Sequence, residues 1–172
     1  MDPILPSHIT LIDSLPEERW SEFRDLRLDA LKNCPVAFQD DLETEIKLPD
    51  EVWQERVHSR LHIFAEQANE LVGMLGYYRK SGSKVEHVAH IVGVYVKESA
   101  RGQHIAGMML ERVEQILKQQ HVRKIGLCAV ASQLAARHVY EQHGFQTVGV
   151  RKQQVKVGEK FLDEVIMEKL LE

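Results

Sequence analysis

The run Val94-Tyr95-Val96-Lys97-Glu98-Ser99-Ala100-Arg101-Gly102-Gln103-His104-Ile105-Ala106-Gly107 constrains the fold more than any other part of the chain. Residues 87–96 read as a strand with His90, Val92, Val94 and Val96 on one face and Ala89, Ile91, Gly93 and Tyr95 on the other. Both faces are apolar enough to be buried. Beyond a short loop, Ile105, Met109, Val113 and Ile116 recur at helical spacing to about Gln120. A strand buried on both sides that runs directly into an amphipathic helix requires a sheet with helices packed on it.

The flanking sequence extends this pattern. Ser14-Leu15-Pro16-Glu17 reads as a capping box with proline in the first turn, so a first helix is expected over about 15–33, ended by Asn33-Cys34-Pro35. A polar stretch, 39–47, leads to a second helix from Pro49 to about Arg60 that carries Val52, Trp53 and Val57. Residues 61–67 and 71–79 are short β-type runs, with Ala68-Asn69-Glu70 as the hairpin turn. Ser81-Gly82-Ser83 turns into the long strand. Residues 124–131 form a further buried strand, and Ser132 is placed to cap a helix over 134–143 closed by Gly144. Strands over 145–150 and 161–170, joined around Gly158, end the chain. The expected order is α-α-β-β-β-α-β-α-β-β: an α/β (α+β) domain with one mixed, mostly antiparallel central sheet flanked by helices.

At 172 residues, with 44% hydrophobic and 28% charged side chains, a single domain spanning residues 1–172 is expected. The longest apolar runs, around 91–96 and 125–131, fall short of the roughly 20 residues that cross a bilayer, so no membrane partner is expected. The start, Met1-Asp2-Pro3-Ile4, has no basic segment ahead of an apolar one, as a secretory leader would. Cys34 and Cys128 stand alone and form no disulfide framework, which fits a reducing cytoplasm. Cys128 reads as a small core residue rather than a nucleophile. A net charge of −4 lacks the basic excess that phosphate-backbone binding needs, so nucleic acid is not expected as a partner. Residues 13–60 carry thirteen acids against seven bases, net −6, which leaves +2 on the remainder. That asymmetry suits a cation on one side and an anion on the other, or simply solvated helix faces.

Chemistry concentrates at two helix starts. After the long strand, unpaired backbone N–H groups and the helix dipole favour an anion. Arg101 adds a full charge, and Gly102, Ala106 and Gly107 allow close backbone approach. The loop is neither a Walker loop nor a dinucleotide G-x-G-x-x-G, and a helix start that merely packs is the competing reading. After the next strand, Gln133, Ala136 and Tyr140 fall at i, i+3 and i+7 and line one stripe of their helix.

Together, Arg101-Gly102-x-x-x-Ala106 and Gln133-x-x-Ala136-x-x-x-Tyr140-x-x-x-Gly144-Phe145 resemble the GNAT superfamily of acyl-CoA-dependent N-acetyltransferases over about residues 61–170. The resemblance implies acetyl-CoA as co-substrate, bound by residues 61–172, with residues 1–60 as variable acceptor-side helices. It implies that main chain at Val94 and Val96 pairs with pantetheine and the thioester carbonyl. Backbone N–H groups of Gly102, Gln103, His104, Ile105, Ala106 and Gly107 would hold the pyrophosphate. Gln133 stands where the family usually has asparagine, and Tyr140 matches the tyrosine placed to protonate the departing thiolate; a core aromatic is its alternative. His104 replaces a family glycine. Its side chain either hinders closure over the pyrophosphate or donates to it, and an already helical conformation there would be unstrained.

Acetyl transfer needs the neutral amine, and freeing an amine of pKa about 10.4 at pH 7 costs roughly 4.6 kcal/mol. His90 is one candidate base and Glu43 and Glu45 are others, with a structural hydrogen-bonding role as the alternative for His90. Backbone N–H near Val94 and Val96 is suited to stabilise the oxyanion. Arg27 and Phe38 are candidate acceptor-pocket residues, or else a surface ion pair and a core aromatic. No metal is expected, because the histidine spacings do not converge. The acidic first third favours a cationic amine acceptor, and the closing strands offer an edge for a homodimer contact. A non-catalytic acyl-CoA-binding or sensing module on the same fold is the alternative function.

Overall fold

The computed structural model describes residues 8–172, and the Met1-Asp2-Pro3-Ile4 start lies outside them. The described chain runs β1 (Ile9–Ile12), α1 (Trp20–Asn33), α2 (Leu42–Glu45), α3 (Asp50–Ser59), β2 (Leu61–Gln67), β3 (Glu70–Arg79), β4 (Val88–Val96), α4 (Ile105–Gln119), β5 (Lys124–Val130), α5 (Leu134–Gln142), β6 (Gln146–Val157) and β7 (Lys160–Leu170). All seven strands form one mixed sheet in the order β1-β2-β3-β4-β5-β7-β6. Every pairing is antiparallel except β4 with β5.

Two elements exceed the sequence expectation. β1 is only four residues long, too short for its alternation to register, and it forms because the edge of β2 takes it from Ile9 opposite Gln67 to Ile12 opposite Phe64. α2 arises within the polar 39–47 stretch because the Asp41 side chain accepts the Thr44 N–H and caps it. The capping box at Ser14 is not made. Residues Glu17–Arg19 form a 3-10 turn without a side-chain cap, and the α-helix begins at Trp20. Likewise α5 starts with Gln133, not Ser132, at its N-cap and has no side-chain cap. The β2–β3 hairpin closes on Ala68 and Asn69, whose φ values of 51° and 62° are those of a type I′ turn.

The sheet separates two cores. One face packs Ile63, Leu75, Ile91 and Leu127 against Ile105, Met109, Val113 and Leu117 of α4, with Tyr140 of α5 joining them. The other packs Phe64, Met74 and Tyr95 beneath Phe23 and Leu26 of α1 and Trp53 of α3. Phe23 meets Trp53 edge-on at 5.9 Å and Phe64 at 5.6 Å.

Ile91 and Tyr95 therefore lie on opposite faces, although strict alternation puts them together. Met74 pairs with Tyr95 and Gly76 with Val92, so Gly93 and Val94 stand opposite Leu75 alone. This is a β-bulge, and Gly93 takes the left-handed φ of 62° that it needs. Past the bulge, Val94 and Val96 turn to the α4 core and Tyr95 to the α1 core. Cys128 also departs from expectation. It is exposed, because it points from β5 to the face covered by α1 and α3, and those helices lie over β2–β4 only.

Candidate active site

β4 and β5 pair over three residues only, Val88–His90 against Lys124–Gly126. Beyond them β5 is held by β7 alone and the two strands separate. Main chain at Val94 and Val96 thus borders an opening through the sheet. A backbone bordering such a gap has unused donors and acceptors that an extended ligand can take. The Val96 carbonyl accepts Arg101 Nε at 3.2 Å, and Arg101 Nη2 lies 3.5 Å from Cys34 Sγ, so Arg101 folds back along its strand towards the α1–α2 connection.

The junction from β4 to α4 presents a row of bare donors. The first helical bond runs from Met108 N–H to the His104 carbonyl at 3.0 Å, and the N–H groups of residues 102–107 have no acceptor among the described residues. Gln103 turns its amide oxygen to Gln67 at 3.0 Å. Gly107 is a contact position, since a Cβ there would meet His143 Nε2 at 2.7 Å. These donors and the small residues fit a diphosphate. His104 is not helical: it is the N-cap residue at φ 59°, ψ 18°, in the left-handed region, with no side-chain cap bond. Holding a non-glycine residue there costs on the order of 1 kcal/mol relative to glycine.

On α5, Tyr140 packs edge-on to Phe145 at 6.2 Å and is 8% exposed. Its hydroxyl has no hydrogen-bond partner among the described residues and is not sealed off by them. Burial pushes its phenol up to about 12, so it is a protonated donor at neutral pH. Gln133 and Ala136, half-buried, share its stripe towards the β5 end of the opening.

His90 lies on the other face, stacked on Tyr78 at 5.5 Å and 14°. Its ring lies 3.1 Å from where a Cβ of Gly126 would sit, so glycine on β5 makes room for the imidazole. Burial, followed by the charge of Lys80, lowers its pKa, Lys124 and Arg151 add to the effect, and Glu168 opposes it. The ring is neutral at neutral pH and has a free lone pair. His90, in the last β4–β5 pair before the strands separate, and Tyr140 thus stand on opposite faces of the sheet.

The acceptor-side candidates divide. Phe38 lines a cavity of about 710 Å³ between the α1–α2 connection and the β6–β7 hairpin, with Asp40, Asp41, Glu43, Lys32 and Lys156 on its walls. Arg27 lies over the Phe38 ring at 4.6 Å, bonds Asp40 at 2.9 Å, and ends 3.7 Å from a Cβ position on Gly93, joining the cavity to the bulge. Glu43 is exposed and has no ion pair among the described residues. Glu45 is 2% exposed and held by Arg27 at 3.2 Å and Arg56 at 3.0 Å, which fixes α2 to α1 and α3 and leaves the carboxylate no free face towards the cavity. Sequence reasoning missed Asp40, the Gly93 bulge and the Arg151–Glu164 pair on β6 and β7. The alternation Leu162, Glu164, Ile166, Glu168 was the available signal for Glu164. Among the described residues, no group of three or more His, Cys, Asp or Glu side chains could hold a metal ion, and no helix is long and apolar enough to cross a membrane.

An opened parallel strand pair leading into a bare helix N-terminus is the arrangement of an acetyltransferase fold, and the comparisons agree. An acetyltransferase of the GNAT family from Streptococcus pneumoniae is similar in structure at a TM-score of 0.83 and 17% identity, over 96% of this chain and all of that one. A ribosomal-protein-alanine N-acetyltransferase from Brucella melitensis matches at 0.77 and 21% identity, covering 94% and 99% of the two chains. A phosphinothricin acetyltransferase from Sinorhizobium meliloti, solved in complex with acetyl-CoA, matches at 0.81 and 15% identity, covering 95% and 88%. No curated protein matches the sequence. Residues 14–145 match the acetyltransferase (GNAT) family, and the chain belongs to it.

Proposed function

We propose that the protein moves an acetyl group from acetyl-CoA to a primary amine by direct attack, with residues 61–172 holding the co-substrate and residues 1–60 shaping the acceptor side. The observation that carries this reading is the β4–β5 opening with a protonated phenol on one face and a neutral imidazole on the other. The N–H groups of residues 102–107 hold the pyrophosphate, main chain at Val94 and Val96 aligns the pantetheine arm, and Gln133 reaches it from α5.

The amine arrives as an ammonium, a charge suited to the cavity where Asp40, Asp41 and Glu43 face Lys32 and Lys156. Asp40 is engaged by Arg27 and Asp41 by the start of α2, so Glu43 is the carboxylate free to hold the cation. His90 takes one ammonium proton, directly or through water, and so frees the nitrogen lone pair; the nitrogen then bonds to the acetyl carbon, the carbon–sulfur bond breaks, and the second N–H proton passes to solvent. Tyr140 donates a hydrogen bond to the sulfur as it gains charge. Complete transfer from a phenol near 12 to a thiolate of ordinary pKa about 8.5 is uphill by roughly 5 kcal/mol, so the hydroxyl stabilises the leaving group before solvent protonates it.

A second reading, an acyl-CoA-binding module without turnover, draws on the left-handed His104 at the pyrophosphate loop and on Arg101 occupying the Val96 carbonyl. Calorimetric titration with acetyl-CoA and CoA, followed by thiol release with an amine panel, separates the two. Binding with release supports the enzyme, binding without release the module, and no binding overturns both. The unbridged Cys34 and Cys128 fit a cytoplasmic protein. Val148 and Val150, half-exposed along β6, mark the edge where we place a homodimer contact, which sedimentation would test.

A further inference from the structure

We propose that Arg151 reads an anionic group of the carboxylate class on the acceptor, so that the amine acetylated is that of an amino acid or a similar zwitterion; this rests on the acetyltransferase reading above. Glu164 is one of two buried charged side chains among the described residues, 5% exposed, on the face of β7 opposite the α4 core. The other, Glu45, has two guanidinium partners, whereas Glu164 has one, Arg151 at 2.9 Å, with the Cys128 thiol beside it. The same Arg151 Nη1 lies 3.4 Å from Cys128 Sγ, on the part of β5 that has left β4. Arg151 is thus anchored through one nitrogen by a buried carboxylate, while half its side chain is exposed and its Nε and Nη2 have no partner among the described residues. A guanidinium held from behind with its other edge free is preorganised to grip a planar oxyanion by two parallel bonds.

The surroundings favour the same sign. Arg151, Lys80 and Lys124 all act on the His90 imidazole, and Lys80 has no ion pair among the described residues. Tyr78 and Val92, each about half exposed, give this face an apolar floor beside the base. A zwitterion placed there has its carboxylate on Arg151, its apolar part over Val92 and its amine towards the opening.

The test uses L-leucine, L-leucinamide and isoamylamine, which share a side chain and differ in the carboxylate, in thiol-release kinetics and in calorimetry on the CoA-loaded protein. The expected result is a leucine preference of about tenfold or more over leucinamide in kcat/KM and in binding, collapsing towards unity in Arg151→Gln and partly restored in Arg151→Lys. Glu164→Gln shifts KM for leucine in the same direction by freeing the guanidinium, while a purely structural loss would lower activity on both substrates alike. Equal binding and turnover of leucine and leucinamide, or a preference that survives Arg151→Gln, overturns the proposal and leaves the acetyltransferase reading standing. Failure of the wild-type protein to bind acetyl-CoA is the separate outcome that removes that reading.

Discussion

Replacing Tyr140 with phenylalanine isolates one atom. The ring is buried against Phe145 and the α4 core and stays in place, while the hydroxyl removed has no partner among the described residues. Losing a hydroxyl that no described protein group engages and that is not sealed off is close to neutral, so the melting temperature of Tyr140→Phe stays within about 2 °C of wild type. Ground-state affinity for acetyl-CoA is equally little affected, because a thioester sulfur is a weak acceptor. In the transition state the sulfur carries charge, and a hydrogen bond to a charged group contributes about 1.5–3 kcal/mol, a factor of roughly 10 to 150 in rate. The expected outcome is a kcat lowered by that factor at unchanged acetyl-CoA affinity, measured by thiol release and calorimetry side by side. An unchanged kcat refutes the assignment of Tyr140 to the leaving group, and an equal loss of affinity and turnover shows that it only binds.

His104→Gly relieves left-handed strain of about 1–2 kcal/mol against an unfolded-state entropy cost of about 0.5–1 kcal/mol, so the melting temperature rises by about 1–2 °C. The same variant binds acetyl-CoA more tightly if the imidazole obstructs the loop; weaker binding would show that it donates to the pyrophosphate. His62 is held near a pKa of about 4 by burial, opposed by its bond to the Arg60 backbone, so the unfolded chain takes the extra proton as pH falls below about 6.5. Stability is therefore full at pH 7 and about 2 kcal/mol lower at pH 5, a loss that denaturant titrations should find reduced in His62→Gln. Gly126→Ala places a methyl 3.1 Å from the His90 ring; it lowers kcat by displacing the imidazole while acetyl-CoA affinity holds, and retention of full activity removes His90 as the base.

The element order was legible because periodicity is a local property. The α4 stripe of Ile105, Met109 and Val113 lies on the core face that its spacing requires, and the hairpin at Ala68-Asn69 turns where the strand runs break. The bare donors of residues 102–107 and the Tyr140 stripe were legible for the same reason, since each follows from the order strand, loop, helix. His104 was harder, because whether an N-cap residue is helical or left-handed depends on how α4 meets the sheet, and Glu45 reads as a free carboxylate until Arg27 and Arg56 converge on it.

Only the tertiary structure decided where β4 leaves β5, how the Gly93 bulge turns Tyr95 to the opposite core from Ile91, and that Cys128 stands exposed. It also placed Glu164 beneath Arg151. Each depends on register between segments brought together by folding: β3 against β4, β5 against a β7 some forty residues later, and α1 and α3 stopping short of β5. A run of residues determines its own helix or strand through contacts three or four positions away. Which side of a sheet a chemical group finally faces is set by pairing partners far along the chain, where a one-residue shift exchanges the two faces.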